Sequence, residues 1–268
     1  MSEASLNLAI SGAAGRMGNR LIALTSQDSR LRLVSAIESA QHPNLGQDSG
    51  IAAGTGENGI PFSNQYSDEV EVVIDFSHPA GADAAINYSR QQGRALVMAT
   101  TGLEPATVES LQTASQEIAI VWAPSMSLAV NLTMKLAETT GRALKNHATG
   151  VDVEIIERHH RFKVDAPSGT ALKFGEIVAD AMGITEHQHG REGITGERPH
   201  NQIGYHAVRT GDNPGQHTIV FGMLGETIEL KVAASNRDSY AAGALAAAKF
   251  VAGQGPGLYN MYDVLGLN

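Results

Sequence analysis

The chain has 268 residues, 42% of them hydrophobic, with 28 acidic against 19 basic side chains and a formal net charge of −9. This composition supports one large core or two modest ones, excludes a disordered chain, and argues against nucleic acid or an anionic membrane as partner. Cysteine is absent, which excludes disulfides, thiolate-bound zinc and a cysteine nucleophile.

The opening residues, Met1 to Ser5, lack the basic-then-apolar character of a secretory leader, and no apolar run approaches the roughly 20 residues of a membrane helix. A cytoplasmic location is therefore expected. Leu6 to Ile10 reads as a strand that runs into Gly12-Ala13-Ala14-Gly15-Arg16-Met17-Gly18 and then a helical pattern to about Ser26. Strand, glycine turn and helix form the context of a dinucleotide site: small residues let backbone N–H groups approach a pyrophosphate, and the helix dipole favours its charge. A second strand, 31–37, ends at Glu38, where an acid can hydrogen-bond a ribose. Residues 39–69 are polar and glycine-rich and read as a loop with little regular structure.

Strands follow at 71–76, 95–99 and 117–122, with helical patterns beginning near Pro79, Pro105 and Leu128. This alternation implies a Rossmann-type doubly wound parallel sheet, in which ligands gather beyond the carboxyl ends of the strands. Phe76-Ser77, Thr100-Thr101-Gly102 and Ala123 to Met126 fall at that edge. In the helix from Leu128 to about Ala143, the expected core positions are Val130, Leu132, Met134, Leu136 and Ala137.

The apolar run Val151 to Ile156 reads as a buried strand. It leads into two arginines, two histidines and a lysine within residues 158–163, then Pro167-Ser168-Gly169-Thr170 and a helix to about Met182. A strand end, a cationic cluster and a helix start together suit a small anion that needs proton transfer. The adjacent His159 and His160 diverge on a strand end, and no third ligand of suitable spacing is evident, so no metal is expected. After a polar loop through 187–198, strands at 203–209, 216–222 and 226–234 with short turns imply a mixed or antiparallel sheet, and hence a second, α+β domain. An Ala-rich helix spans 238–252, and the tail 257–267 is expected to close on the first domain.

Four motifs carry a resemblance that covers nearly the whole chain. They are Gly12 to Gly18, Glu157-x-His159-His160-x-x-Lys163-x-Asp165-Ala-Pro-Ser-Gly-Thr170-Ala, Gly190-Arg-Glu-Gly-x-Thr-Gly-Glu-Arg198 and Gly211-Asp-x-x-Gly-x-His217. Together they resemble the 4-hydroxy-tetrahydrodipicolinate (dihydrodipicolinate) reductase family of lysine and diaminopimelate biosynthesis. The resemblance implies a dinucleotide-binding domain over 1–127 plus 238–268, a substrate-binding and oligomerisation domain over 128–237, and a homotetramer. It implies an oxidoreductase that uses NADH, NADPH or both. Its catalytic His–His pair and lysine map onto His159, His160 and Lys163, and Gly169 and Thr170 map to its substrate-carboxylate loop. Ala99, Thr100, Thr101 and Ala123, Pro124, Ser125, Met126 map to its nicotinamide contacts.

The substrate so implied is a cyclic imine-type dicarboxylate. His159 is the candidate acid, because its ordinary pKa lies nearest neutrality. Lys163 holds a carboxylate or also gives a proton, while His160 and the N–H groups at Ser168, Gly169 and Thr170 grip a carboxylate. The chain departs from the family where many members have an arginine after the ribose-binding acid. Here Ser39 stands at that position, and His78 stands where a second base is common. Loss of a guanidinium removes a bidentate partner for the 2′-phosphate of NADPH, so NADH is expected to serve at least as well. Ser125-Met126 also stands where Asn-Phe is common. The residues leave two other readings open: another two-domain NAD(P)-dependent dehydrogenase of a small dicarboxylate, or a non-catalytic nucleotide-binding regulator.

Overall fold

The computed structural model describes residues 5–267, which divide into two compact units. One holds the chain up to Leu128 and again from Arg237 onward; the other is Ala129–Asn236. In chain order the first unit supplies β1 (Leu6–Ser11), α1 (Arg16–Thr25), β2 (Leu31–Ile37), α2 (Ser49–Ala53), β3 (Phe62–Ser63), β4 (Val72–Asp75), α3 (Pro79–Gln92), β5 (Ala95–Met98), α4 (Pro105–Ala114) and β6 (Ala119–Trp122). The helix α5 (Leu128–Leu144) leads into the second unit, followed by β7 (Asp152–His159), α6 (Gly169–Met182), β8 (Glu186–His189), β9 (Gln202–Arg209), β10 (Gln216–Met223) and β11 (Glu226–Ala233). The chain then returns to the first unit with α7 (Asp238–Val251), β12 (Gly257–Tyr259) and α8 (Met261–Leu265). No helix among the described residues is long and apolar enough to cross a membrane.

The first unit is a seven-stranded parallel sheet in the order β12-β6-β5-β4-β1-β2-β3. Side chains alternate across each strand, and both faces of the central strands β1, β4 and β5 are largely buried, so these strands read as mostly apolar runs. Leu8, Ile10, Ile74, Val97 and Val121 join one core with residues of α1 and α7. Ala9, Val73, Leu96, Met98 and Ile120 join a second core with residues of α3 and α4. Arg20 on α1 grips Asp238 at the start of α7 through two bonds of 2.5 and 2.9 Å. The tail closes on this unit: β12 pairs with β6, and Met261 is fully buried.

The 39–69 segment is more regular than its composition suggests. Asp48 caps α2 by accepting from the N–H groups of Gly50 and Ile51, and its carboxylate also accepts from Asn58 and Gly59. One side chain thus fastens both arms of the excursion, and Phe62, 1% exposed, anchors the edge strand β3.

The second unit is a five-stranded mixed sheet in the order β11-β10-β7-β9-β8, antiparallel across β11-β10-β7 and parallel across β7-β9-β8. Its β8 lies inside the stretch expected to be loop. Glu-His-Gln-His has no apolar alternation, yet it pairs with β9 as an edge strand, and His187 Nδ1 lies 2.8 Å from the Tyr205 hydroxyl. In α5 the buried stripe is Val130, Met134, Ala137 and Gly141. Leu132 and Leu136, expected in the core, are exposed at 41% and 46%, because they sit two residues off that stripe and so on another face of the helix.

Candidate active site

In the first unit the residues predicted to meet a dinucleotide share the carboxyl edge of the sheet. Gly12 has φ +74°, and a Cβ there would lie 2.7 Å from Phe76 O and Ser77 Cα. At Gly18 a Cβ would lie 2.3 Å from Gly12 O. Gly12 lets the turn close against the segment after β4, and Gly18 lets α1 pack on the turn itself, which together make the cradle a pyrophosphate needs. Glu38 Oε1 accepts from Ala14 N–H at 2.8 Å, joining the acid at the end of β2 to the glycine turn. Beside them opens a cleft of about 620 Å³, lined by Gly12, Ala14, Gly15, Glu38, Tyr66 and His78 among others. These features fit the adenosine end of a dinucleotide.

Ala13 and Met126 are buried, at 0% and 1% exposure, so their side chains belong to the core and only their backbones can face a ligand. Arg16 and Met17 occupy the first turn of α1. Ala99, Thr100 and Thr101 follow β5, and Ala123, Pro124 and Ser125 follow β6; all lie at the same edge, beyond the cleft lining. Sequence reasoning passed over Asp75. This fully buried carboxylate at the end of β4 accepts from Thr100 Oγ1 at 2.6 Å and Ser77 Oγ at 2.8 Å, and also from Ser11. Burial pushes its carboxyl up against the opposing effect of those three hydroxyls. It ties together the loops after β1, β4 and β5.

In the second unit His159 is the last residue of β7 and is 8% exposed. Its Nδ1 is hydrogen-bonded to Oε2 of Glu157, two residues back on the same face of the strand. Glu157 is 1% exposed. Its Oε1 accepts from Arg209 Nη2 at 2.8 Å and from Ser168 N–H at 3.3 Å. Burial pushes the Glu157 carboxyl up, but the bonds and charges of Arg209 and His159 outweigh it and hold it below the usual carboxylate range. For His159 burial lowers the pKa by more than the bond and charge of Glu157 raise it, and Lys163 and Arg209 lower it further.

The β10–β7 register sets His217 opposite Glu157, with its ring 5.2 Å from that of His159. His217 is pushed down to about 4, by burial first and then by His159 and Lys163, so it is neutral at pH 7. Its Nε2 lies 3.1 Å from Ser168 Oγ. That hydroxyl also accepts from Ala171 N–H as the N-cap of α6, so Ser168 serves the architecture and presents no free hydroxyl to a substrate. Gly169 and Thr170 follow it, and their N–H groups are among those an α-helix leaves without intrahelical partners. Lys163 Nζ lies 2.7 Å from Asp165 Oδ1. His160 Nδ1 and Arg209 Nε are buried without a protein partner.

The third donor that spacing did not reveal is His217, since ligand atoms of Glu157, His159 and His217 lie within 4.8 Å of one another. Arg209 already supplies positive charge to this carboxylate, and the charge of Lys163 acts on both imidazoles, which is a setting for an anionic ligand rather than a dication. Neither Glu157, Arg209 nor His217 was singled out as a site residue from the sequence. Glu157 and His217 do stand inside the motifs quoted above, and that was the available signal.

Comparison with known proteins shows the family of the chain. The family model described as "Dihydrodipicolinate reductase, N-terminus" matches residues 6–126, and "Dihydrodipicolinate reductase, C-terminus" matches residues 129–265. A 4-hydroxy-tetrahydrodipicolinate reductase of Rhodopirellula baltica is 56% identical, over 100% of this chain and 98% of its own. One from Alkalilimnicola ehrlichii is 46% identical, over 97% of this chain and 98% of its own. Among solved structures, a dipicolinate-bound dihydrodipicolinate reductase from a Paenisporosarcina species superposes with a TM-score of 0.78 at 22% identity. That match covers 97% of this chain and 98% of the other and supports the fold.

Proposed function

The chain belongs to the dihydrodipicolinate reductase family, and from that premise we infer how its residues divide the work. It is a pyridine-nucleotide-dependent oxidoreductase of lysine and diaminopimelate biosynthesis. The reaction converts 4-hydroxy-tetrahydrodipicolinate, a reduced nucleotide and a proton into tetrahydrodipicolinate, the oxidised nucleotide and water. When bound, the reduced nicotinamide supplies the hydride. In our reading the glycine turn, with Ala14, Gly15, Arg16 and Met17, receives the pyrophosphate, and Glu38 receives the adenosine ribose. Ala99 to Thr101 and Ala123 to Met126 receive the nicotinamide end.

The substrate's two carboxylates meet the cationic segment of the second unit. The N–H groups of Gly169 and Thr170, at the positive end of α6, take one carboxylate. Lys163 neutralises the dianion, and His160 adds a donor. His159 gives the proton. The observation that carries this assignment is the grouping of His159, His217, Glu157 and Arg209 in one buried cluster next to the free start of α6.

We further propose that NADH is used at least as well as NADPH. No arginine or lysine is among the residues lining the cleft beside Glu38, where Ser39, Ala40 and His42 follow the acid. The carboxylate would oppose a 2′-phosphate that no guanidinium neutralises. Steady-state kcat/KM for both cofactors, with substrate freshly condensed from pyruvate and aspartate semialdehyde, tests both statements. The expected result is loss of NADH absorbance with an NADH:NADPH ratio of one or more. A strong NADPH preference would remove the cofactor proposal, and no turnover with either would remove the mechanism. The homotetramer remains a proposal that light scattering tests. Its support is the outer face of the second unit's sheet, where Ile156 on β7 and Val208 on β9 stand exposed at diagonal positions.

A further inference from the structure

We propose that Glu157 is a positioning residue for the reduction, holding the His159 ring with its Nδ1 proton on the carboxylate so that Nε2 is the atom that carries and releases the catalytic proton. The inference rests on the reading of His159 as the acid and adds to it a fixed orientation, a fixed tautomer and a local countercharge.

Three observations support it. Glu157 is among the most deeply buried charged groups of the second unit, yet each of its oxygens has a role. Oε2 takes His159 Nδ1, and Oε1 takes Arg209 Nη2 and the Ser168 N–H. Arg209 is held in turn, since the same nitrogen donates to Asp165 O at 2.6 Å. A carboxylate anchored at two further points is a rigid acceptor, and an imidazole bonded to it cannot rotate without breaking a charge-assisted bond.

The opposite ring nitrogen is kept clear. A Cβ at Gly215 would lie 2.9 Å from His159 Nε2, and Gly215 has φ +150°, a conformation that L side chains rarely adopt. Gly215 thus lies against Nε2 and carries no side chain to block it. Finally, the groups that face His159 from each neighbouring element are accounted for. Glu157 stands on its own strand β7, Lys163 on the loop that follows β7, Arg209 on β9 and His217 on β10. His217 is neutral, and Lys163 and Arg209 repel a protonated ring, so Glu157 is the one group of this set that favours the proton-bearing form. A carboxylate beside an imidazole acts in the same way in hydrolase triads, by fixing the tautomer and stabilising the imidazolium without itself taking the proton.

The test compares Glu157→Gln, His159→Gln and the unaltered enzyme by steady-state kinetics from pH 5.5 to 9.5, with NADH and freshly prepared substrate. In Glu157→Gln, kcat is expected to fall about 10²-fold, within the range of a general acid's contribution. Both KM values should stay within about threefold, and the alkaline limb of kcat should move to lower pH, because the imidazolium has lost its countercharge. A fall in kcat with an unmoved alkaline limb would show a structural role only and overturn the proposal. Wild-type kinetics in Glu157→Gln beside an impaired His159→Gln would overturn it while leaving the assignment of His159 intact. An unimpaired His159→Gln would instead remove the assignment on which it rests.

Should Glu157→Gln fail to fold, ¹⁵N-histidine NMR of the unaltered enzyme decides the matter, with His159 identified by difference from His159→Gln. Above its pKa the ring is expected as the Nδ1–H tautomer with a strongly deshielded proton. The Nε2–H tautomer would overturn the proposal.

Discussion

At the scale of single residues, Lys163 is the group whose charge the substrate meets directly in the proposed mechanism. It sits in a turn closed by its own N–H to His160 O, and its ammonium is braced by Asp165, whose carboxyl that contact holds below the usual range. Lys163→Ala removes a cation complementary to a dianion in the ground state and in the transition state alike. It should therefore raise the KM for the dicarboxylate and lower kcat, with a combined loss in kcat/KM of about 10²-fold. Kinetics at saturating NADH measure this, and unchanged constants would refute the role. Lys163 and His159 were legible in the sequence because adjacent basic groups are conspicuous in an acidic chain. Their supports were not. His217 reaches Glu157 only through the β10–β7 register, and Arg209 reaches it from β9. A one-dimensional spacing does not encode strand partners that far apart. Ser168 is likewise tied to its supports in ways the sequence does not show: its hydroxyl caps α6 and its N–H donates to Glu157.

At the scale of elements, α6 approaches the second sheet closely enough that a side chain at Gly175 has no room. A Cβ there would lie 1.7 Å from the Tyr205 hydroxyl and 2.6 Å from its ring, and that ring is buried. Alanine favours helix by up to about 1 kcal/mol, but displacing a packed aromatic costs about 1–3 kcal/mol. Gly175→Ala should therefore lower the urea midpoint, and a raised midpoint would mean that the ring yields freely. The edge beyond β7 is held by charge. Burial pushes the Glu154 carboxyl up, yet bonds from Arg191, Arg198 and His206 at 2.7–3.0 Å outweigh it and bring it down to about 2. The unfolded chain binds this proton near pH 4.5, while the folded one refuses it until about pH 2. The stabilisation is thus present above pH 4.5 and fades as pH falls towards 2. Urea midpoints of Glu154→Gln and the unaltered chain should differ at pH 7 and converge towards pH 2; a constant difference would deny the ionic origin. The long apolar strands and capped helices were legible from periodicity, whereas β3 and β8 were not. Each is short, lies at a sheet edge and takes its geometry from a neighbour rather than from its own pattern.

At the scale of the whole molecule, the first unit is assembled from two separated lengths of chain, and the later length completes the sheet. Residues from Gly257 on supply β12, which covers the backbone edge of β6, and Met261, which fills the core. Deleting 257–268 should leave that edge unpaired, lower the thermal midpoint and reduce the soluble fraction. A variant that melts like the full chain would show that β12 contributes little. The order of strands carries a further consequence for biosynthesis. During translation every strand of the second unit leaves the ribosome before β12 does, so the continuous unit can mature while the discontinuous one waits with an open flank. The usual rule that the amino-terminal domain finishes first is inverted here. A stalled or nicked nascent chain would expose its incomplete nucleotide sheet to chaperones and proteases.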